Sequence, residues 1–180
     1  MTSLESASHA TVCYMEFSSH SRRSALPRTV VGRWLRAALL HDTELRRQLQ
    51  KMLNEGKRGW NDDEPAVVEA ACELIAGQYF GVSHDVRDIT EVVTEMRAQM
   101  KDKEQLDHLK AEALIRAALG EADVSVTDIS TKEKFYAGSL VVGFLAAQLE
   151  LDEAGIGRLV REAERIAFDR GWHPPLARRT

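Results

Sequence analysis

The chain has 180 residues, of which 44% are hydrophobic and 29% are charged, and its formal net charge at pH 7 is -4. A chain of this kind can bury one substantial core, which excludes a disordered protein, and its negative balance argues against a general nucleic-acid binder. Two cysteines in unlike contexts, Cys13 and Cys72, exclude a disulfide framework and a zinc site. The longest apolar run, residues 140–147, is too short to cross a bilayer, and the start lacks a secretory design, so we expect a cytoplasmic protein without membrane contact.

The apolar pattern predicts one helical domain between two less ordered ends. Residues 1–27 are rich in Ser, Thr and His and show no sustained period, so we expect a flexible N-terminal segment there. Over residues 28–172 apolar side chains recur at three- and four-residue steps without an intervening Gly/Ser linker. We therefore predict an all-α fold, a compact bundle of about six to seven helices, followed by a C-terminal tail over residues 173–180.

The first helical stretch begins near Thr29 and continues to about Leu53. It is either one long helix or two, because Asp42 or Thr43 can cap a second segment after His41. The sequence does not choose between these alternatives.

A loop rich in Gly, Asn and Asp follows, and Asp63 can cap the next helix with Pro65 in its first turn. Gly81 is expected to end that helix, because glycine tolerates the left-handed backbone that commonly follows a last helical turn. Either Ser83 or Asp85 can then begin another helix.

Residues 121–130 contain apolar side chains in near alternation, but no second strand is available to pair with them, so we expect an extended connector. Ser130 and Glu133 have the spacing of a capping box, in which each side chain accepts a backbone hydrogen bond from the other residue. The helix that they begin is apolar nearly all round, and we expect it to lie in the core near Val141 and Phe144.

An internal repeat is suggested by the alignment of residues 74–96 with residues 141–163. Both segments read as a helix, a short turn with an acidic cap at Asp85 or Asp152, and a second helix, the last of which we expect to end at Gly171. Amphipathic hairpins also align by their period alone, so duplication and coincidence both remain open.

The sequence carries no recognisable catalytic, cofactor or metal motif. No two of its six histidines have the three- or four-residue spacing that directs two imidazoles at one metal from a helix. The glycines of the later helices lie in helical patterns, where they permit close helix approach rather than hold a phosphate. We therefore expect a non-enzymatic protein without a metal or a cofactor.

Positive charge is concentrated in residues 22–58, where ten Lys or Arg residues accompany three acids. Such a run often marks a solvated helix face, and the alternative is contact with an acidic partner or a polyanion. A tryptophan in the loop after this region either covers the core or anchors another protein. The candidate contact residues are Arg33, Arg36, Arg46, Arg47, Lys51, Arg58 and Trp60.

Two functional hypotheses follow. The first is a helical protein-interaction or regulatory module that binds a protein partner or a second copy of itself. The alternative is a nucleic-acid-associated regulator that uses the basic region 22–58. Nucleic acid is the less favoured partner, because that region lacks the interleaved aromatic residues expected of a single-strand binder.

Overall fold

The computed structural model of the protein describes residues 26–55, 63–100 and 106–177. Within these ranges the chain forms seven α-helices and no sheet, with one isolated antiparallel bridge between Thr29 and Leu176. The all-α prediction is therefore confirmed. The helices are α1 (Val30–Leu39), α2 (Thr43–Glu55), α3 (Asp63–Phe80), α4 (Val86–Gln99), α5 (His108–Ala118), α6 (Thr131–Gln148) and α7 (Glu153–Asp169).

Short polar side chains begin most of these helices, as the sequence predicts. The first stretch is two helices, because the backbone N–H of Leu45 donates to Asp42 and starts α2. Capping boxes begin α4 at Asp85 and α6 at Ser130, and Asp152 caps α7. These side chains satisfy N–H groups that have no partner inside the helix.

One helix start differs from expectation. Asp63 is the first residue of α3 rather than its cap. The turns after α1 and α6 place His41 and Glu150 at positive φ, where glycine is the usual residue, whereas Gly81 and Gly171 take such angles as predicted. The connector over residues 121–130 forms no strand, as expected.

Helix α3 is the centre of the bundle. It packs along α6 and α7 and also contacts α5 and α1, while α4 packs mainly on α5. A side chain at Gly138 of α6 would overlap Val68 of α3, so the glycine permits these two helices to approach closely. Helix α2 makes its only extensive contact with α1 among the described elements, and it buries only Leu49 and Leu53.

The prediction that α6 lies in the core is correct for the side of the helix that carries Val141. It is wrong for another side of the same helix. Val141 is buried, but Phe144 is only partly buried and Leu140 is exposed. The reason is that α2 lies against α1 and does not cover this side of α6. One face of an almost wholly apolar helix is therefore left open.

A buried carboxylate joins the start of the domain to its last helix. Glu164 of α7 accepts hydrogen bonds from the backbone N–H groups of Arg28 and Thr29 and from the Thr29 hydroxyl, at 2.7–3.0 Å. Nearby, the N–H of Val30 donates to Pro175 and that of Ala177 donates to Arg28. Part of the predicted tail is therefore bonded to the domain, and we call this set of contacts the terminal clasp.

The predicted flexible segment, apart from its last two residues, lies outside the described residues. The internal repeat stays a prediction: α7 packs along α3, whereas the corresponding α4 lacks an extensive contact with α6. None of the described helices combines the length and apolar character that a membrane crossing requires.

The terminal clasp makes Gly32 a sensitive position. A Cβ there would overlap Glu164 and the Thr29 hydroxyl, and Glu164 cannot move aside without losing its three hydrogen bonds. We predict that Gly32→Ala lowers the free energy of unfolding by about 2–3 kcal/mol, measured by urea denaturation.

The matched control is Gly77→Ala in α3, because no atom lies within 4 Å of a Cβ at that position. This change should raise stability by roughly 0.5–1 kcal/mol through helix propensity. Equal effects of the two substitutions would contradict the close approach at the clasp.

Candidate interaction groove

The open face of α6 forms one side of a groove of about 1450 Å³. Helix α2 forms the opposite side, and the last turn of α1 and the start of α5 complete it. We call it the α2–α6 groove. Its apolar floor consists of Trp34, Ala38, Leu39, Leu106, Ala137, Leu140, Gly143 and Phe144.

Cationic side chains line both edges of the groove. Arg46, Arg47 and Lys51 come from α2, while Lys110 and Lys132 come from the first turns of α5 and α6. Three separate helices therefore contribute positive charge to one opening.

Three carboxylates also line the groove, and each has a partner within the protein. Glu55 lies 3.7 Å from Lys51, Glu133 pairs with Lys110, and Asp107 accepts the N–H groups that begin α5. By contrast, the described residues offer no ion pair to Arg46 or to Lys132. The groove thus carries positive charge that no carboxylate of the described residues compensates.

A weak contact spans the groove. Gln50 of α2 donates from Nε2 to the Tyr136 hydroxyl of α6 at 3.4 Å; Gln50 is half-buried and Tyr136 is exposed. Only long side chains bridge the gap at this point, because α2 and α6 have no extensive backbone approach. An exposed hydrogen bond of this length contributes at most about 1 kcal/mol, so an entering ligand can replace it.

Trp34 gives the floor a polar atom without a partner. Its ring packs on Phe135 with centroids 4.8 Å apart, and its Nε1 is buried and donates to no acceptor within the described structure. A buried donor left unpaired costs roughly 1–3 kcal/mol.

The structure brings together only some of the predicted contact residues. Arg46, Arg47 and Lys51 line the groove. Arg33 donates instead to the carbonyl of Pro27, and Arg36 pairs with Glu153 of α7 with most of its side chain buried. Arg58 and Trp60 lie outside the described residues.

Sequence reasoning missed the opposite side of the groove. Lys110, Lys132, Tyr136, Leu140 and Phe144 were not among the predicted contact residues, and the last two were assigned to the core. The signal for Leu140 and Phe144 is the all-round apolar pattern of α6, since one neighbour too few leaves part of such a helix uncovered. The sequence gives no comparable signal for the two lysines.

Other polar groups do not form a comparable site. No cluster of three His, Cys, Asp or Glu residues within the described ranges has the arrangement of a metal site. Burial raises the pKa of the Cys72 thiol well above its usual range, and its Sγ donates to the carbonyl of Gly138. A thiol in that state is a poor nucleophile.

Comparison of the chain with protein-family models, with curated proteins and with solved structures gave no match. The groove and its charges are therefore the features from which a function can be proposed.

Glu133 provides a pH-dependent test of the groove's geometry. Its pKa is lowered to about 2 by hydrogen bonds from Lys110 and from the side chain and backbone of Ser130. A depressed folded-state pKa means that this carboxylate stabilises the fold above its unfolded pKa, near 4.3, and that the contribution is lost as the pH falls toward 2.

We predict that Lys110→Met raises the titration midpoint of the Glu133 carboxyl carbon, followed by NMR, from about 2 toward its ordinary value. The midpoint should not return completely, because the bonds from Ser130 remain. Lys134→Met is the control, since Lys134 is not among the groups that shift this pKa. An ordinary midpoint in the unmodified protein would show that the Lys110–Glu133 contact does not persist in solution.

Proposed function

We propose that the protein is a non-enzymatic interaction module that binds an acidic segment of a partner protein in the α2–α6 groove. The observation that carries this proposal is an apolar floor, exposed on α6, between two cationic edges. Binding sites commonly combine an apolar centre with a polar rim in this way.

The apolar floor supports a preference for a protein partner. Leu140 and Tyr136 are 37% and 38% exposed, and burying such side chains is favourable by about 25 cal/mol per Å² of apolar surface. A nucleic-acid backbone has no apolar face to cover them. Phosphate binding gains from many cations, whereas here five cations share the groove with three carboxylates.

The uncompensated cations support an acidic partner. A carboxylate placed near Arg46 or Lys132 meets a charge that has no competing ion pair in the described structure. Complementary charge increases the association rate and suppresses wrong partners, while the apolar contacts supply most of the affinity.

A direct test is selection from a displayed library of protein fragments of the organism that encodes the chain. Fragments enriched on the unmodified protein should carry net negative charge, and Arg46→Glu should weaken their binding roughly tenfold. Arg87→Glu is the matched control, because Arg87 is an exposed helical arginine that does not line the groove. It should change affinity less than about twofold.

Two results would contradict the proposal. One is that the enriched fragments bind the Arg46→Glu variant as tightly as the unmodified protein. The other is that no fragment binds while a labelled 20-base-pair duplex binds at low salt with a steep salt dependence, which would favour the nucleic-acid alternative.

A further inference from the structure

The groove also indicates the backbone conformation of the segment that binds in it. We propose that the acidic segment binds as an amphipathic α-helix lying between α2 and α6, in a position where the described part of the bundle has no helix. This inference rests on the proposed function and adds the conformation and residue pattern of the partner.

The size of the groove fits a helix. Helix α2, with 13 residues, is about 20 Å long, so the groove volume of about 1450 Å³ corresponds to a cross-section of roughly 70 Å². That is a width of about 8–9 Å, compared with about 10–12 Å for a helix with its side chains. The groove is therefore wide enough to take a helix for most of its diameter.

Backbone hydrogen bonding gives an independent reason to expect a helical rather than an extended occupant. An extended peptide gains much of its affinity by pairing with the edge of a sheet, and the described ranges contain no sheet. The single β-bridge joins Thr29 and Leu176, neither of which lines the groove. An extended chain over the apolar floor would leave backbone groups unpaired, whereas a helix satisfies its own.

The arrangement of the groove specifies the pattern of the partner helix. The floor, with Leu39, Leu140 and Phe144, requires apolar residues at steps of three and four along one face. The edges, with Arg46 on α2 and Lys132 on α6, require Asp or Glu on both flanks of that stripe. The partner segment is therefore acidic on both sides of a single apolar face.

Entry of a helix requires little disruption of the described helices. The hydrogen bond between Gln50 and Tyr136, which crosses the groove, is long and exposed. Helix α2 is attached mainly through α1, so it can move away from α6 while the packing of α3 against α6 and α7 is kept.

The test is a random library of 18-residue displayed peptides, selected on the full-length protein and counter-selected on the Leu140→Ala, Arg46→Glu double variant. Leu109→Ala, Arg87→Glu is the matched control, since Leu109 is 65% exposed and neither residue lines the groove. Thermal melting checks that both variants are folded.

We expect enriched peptides to have apolar residues at i, i+3 or i+4, and i+7, with acids on both flanks. A proline placed at the centre of a selected peptide should weaken binding at least tenfold, because it breaks the helix. Peptide binding should weaken at least tenfold on the groove variant and less than about twofold on the control.

Acidic peptides that lack a helical period, or that tolerate the central proline, would overturn the helix inference and leave the proposed function standing. An absence of any groove-dependent peptide would overturn both. Light scattering that shows a dimer, lost in Arg46→Glu, would assign the groove to a second copy of the chain and contradict the inference.

Discussion

Helix α6 is apolar around almost its whole circumference, and burial of such a helix requires neighbours on every side. Helices α3 and α5 cover most of it, but α2 turns back onto α1. That turn is fixed by two backbone hydrogen bonds, from His41 to Ala38 and from Asp42 to Ala37, which end α1 and set the direction of α2. The groove is the direct consequence, because among the described helices none covers this side of α6.

The remaining structure holds the groove in place. Helix α3 packs against α6 and α7, and Glu164 ties the start of α1 to α7 through three hydrogen bonds. Because α1 supplies Trp34 and Leu39 to the floor, the terminal clasp also positions one end of the groove. By contrast, α2 buries only Leu49 and Leu53, so its attachment is the weaker side of the site.

Local chemistry was enough to predict the all-α fold and several of the helix starts, although it left Ser83 and Asp85 as alternatives for α4. Asp85, Ser130 and Asp152 cap helices because a short polar side chain satisfies backbone N–H groups wherever the chain is placed. The partial exposure of Leu140 and Phe144 could not be predicted in the same way. An apolar period shows which side chains favour burial, but it does not show which neighbouring helix arrives to cover them.

The roles of the charged residues could not be predicted from local sequence either. Arg36 and Arg46 are both basic helical residues, yet Arg36 pairs with Glu153, more than a hundred positions away, while Arg46 lines the groove. Nothing in the local sequence distinguishes Glu164 from the other acidic residues of α7. The fold places it beside the first residues of α1. These roles depend on contacts between distant segments, and local spacing carries no information about them.

The central claim is that the outer face of α6 is uncovered in the unbound protein. Methyl NMR with a soluble paramagnetic agent tests it most directly, because relaxation enhancement reports the access of solvent to each methyl group. The account predicts strong enhancement for Leu140, which is 37% exposed, and almost none for Leu145, which is fully buried. Equal protection of the two leucines would show that the groove is closed in solution and would contradict the account.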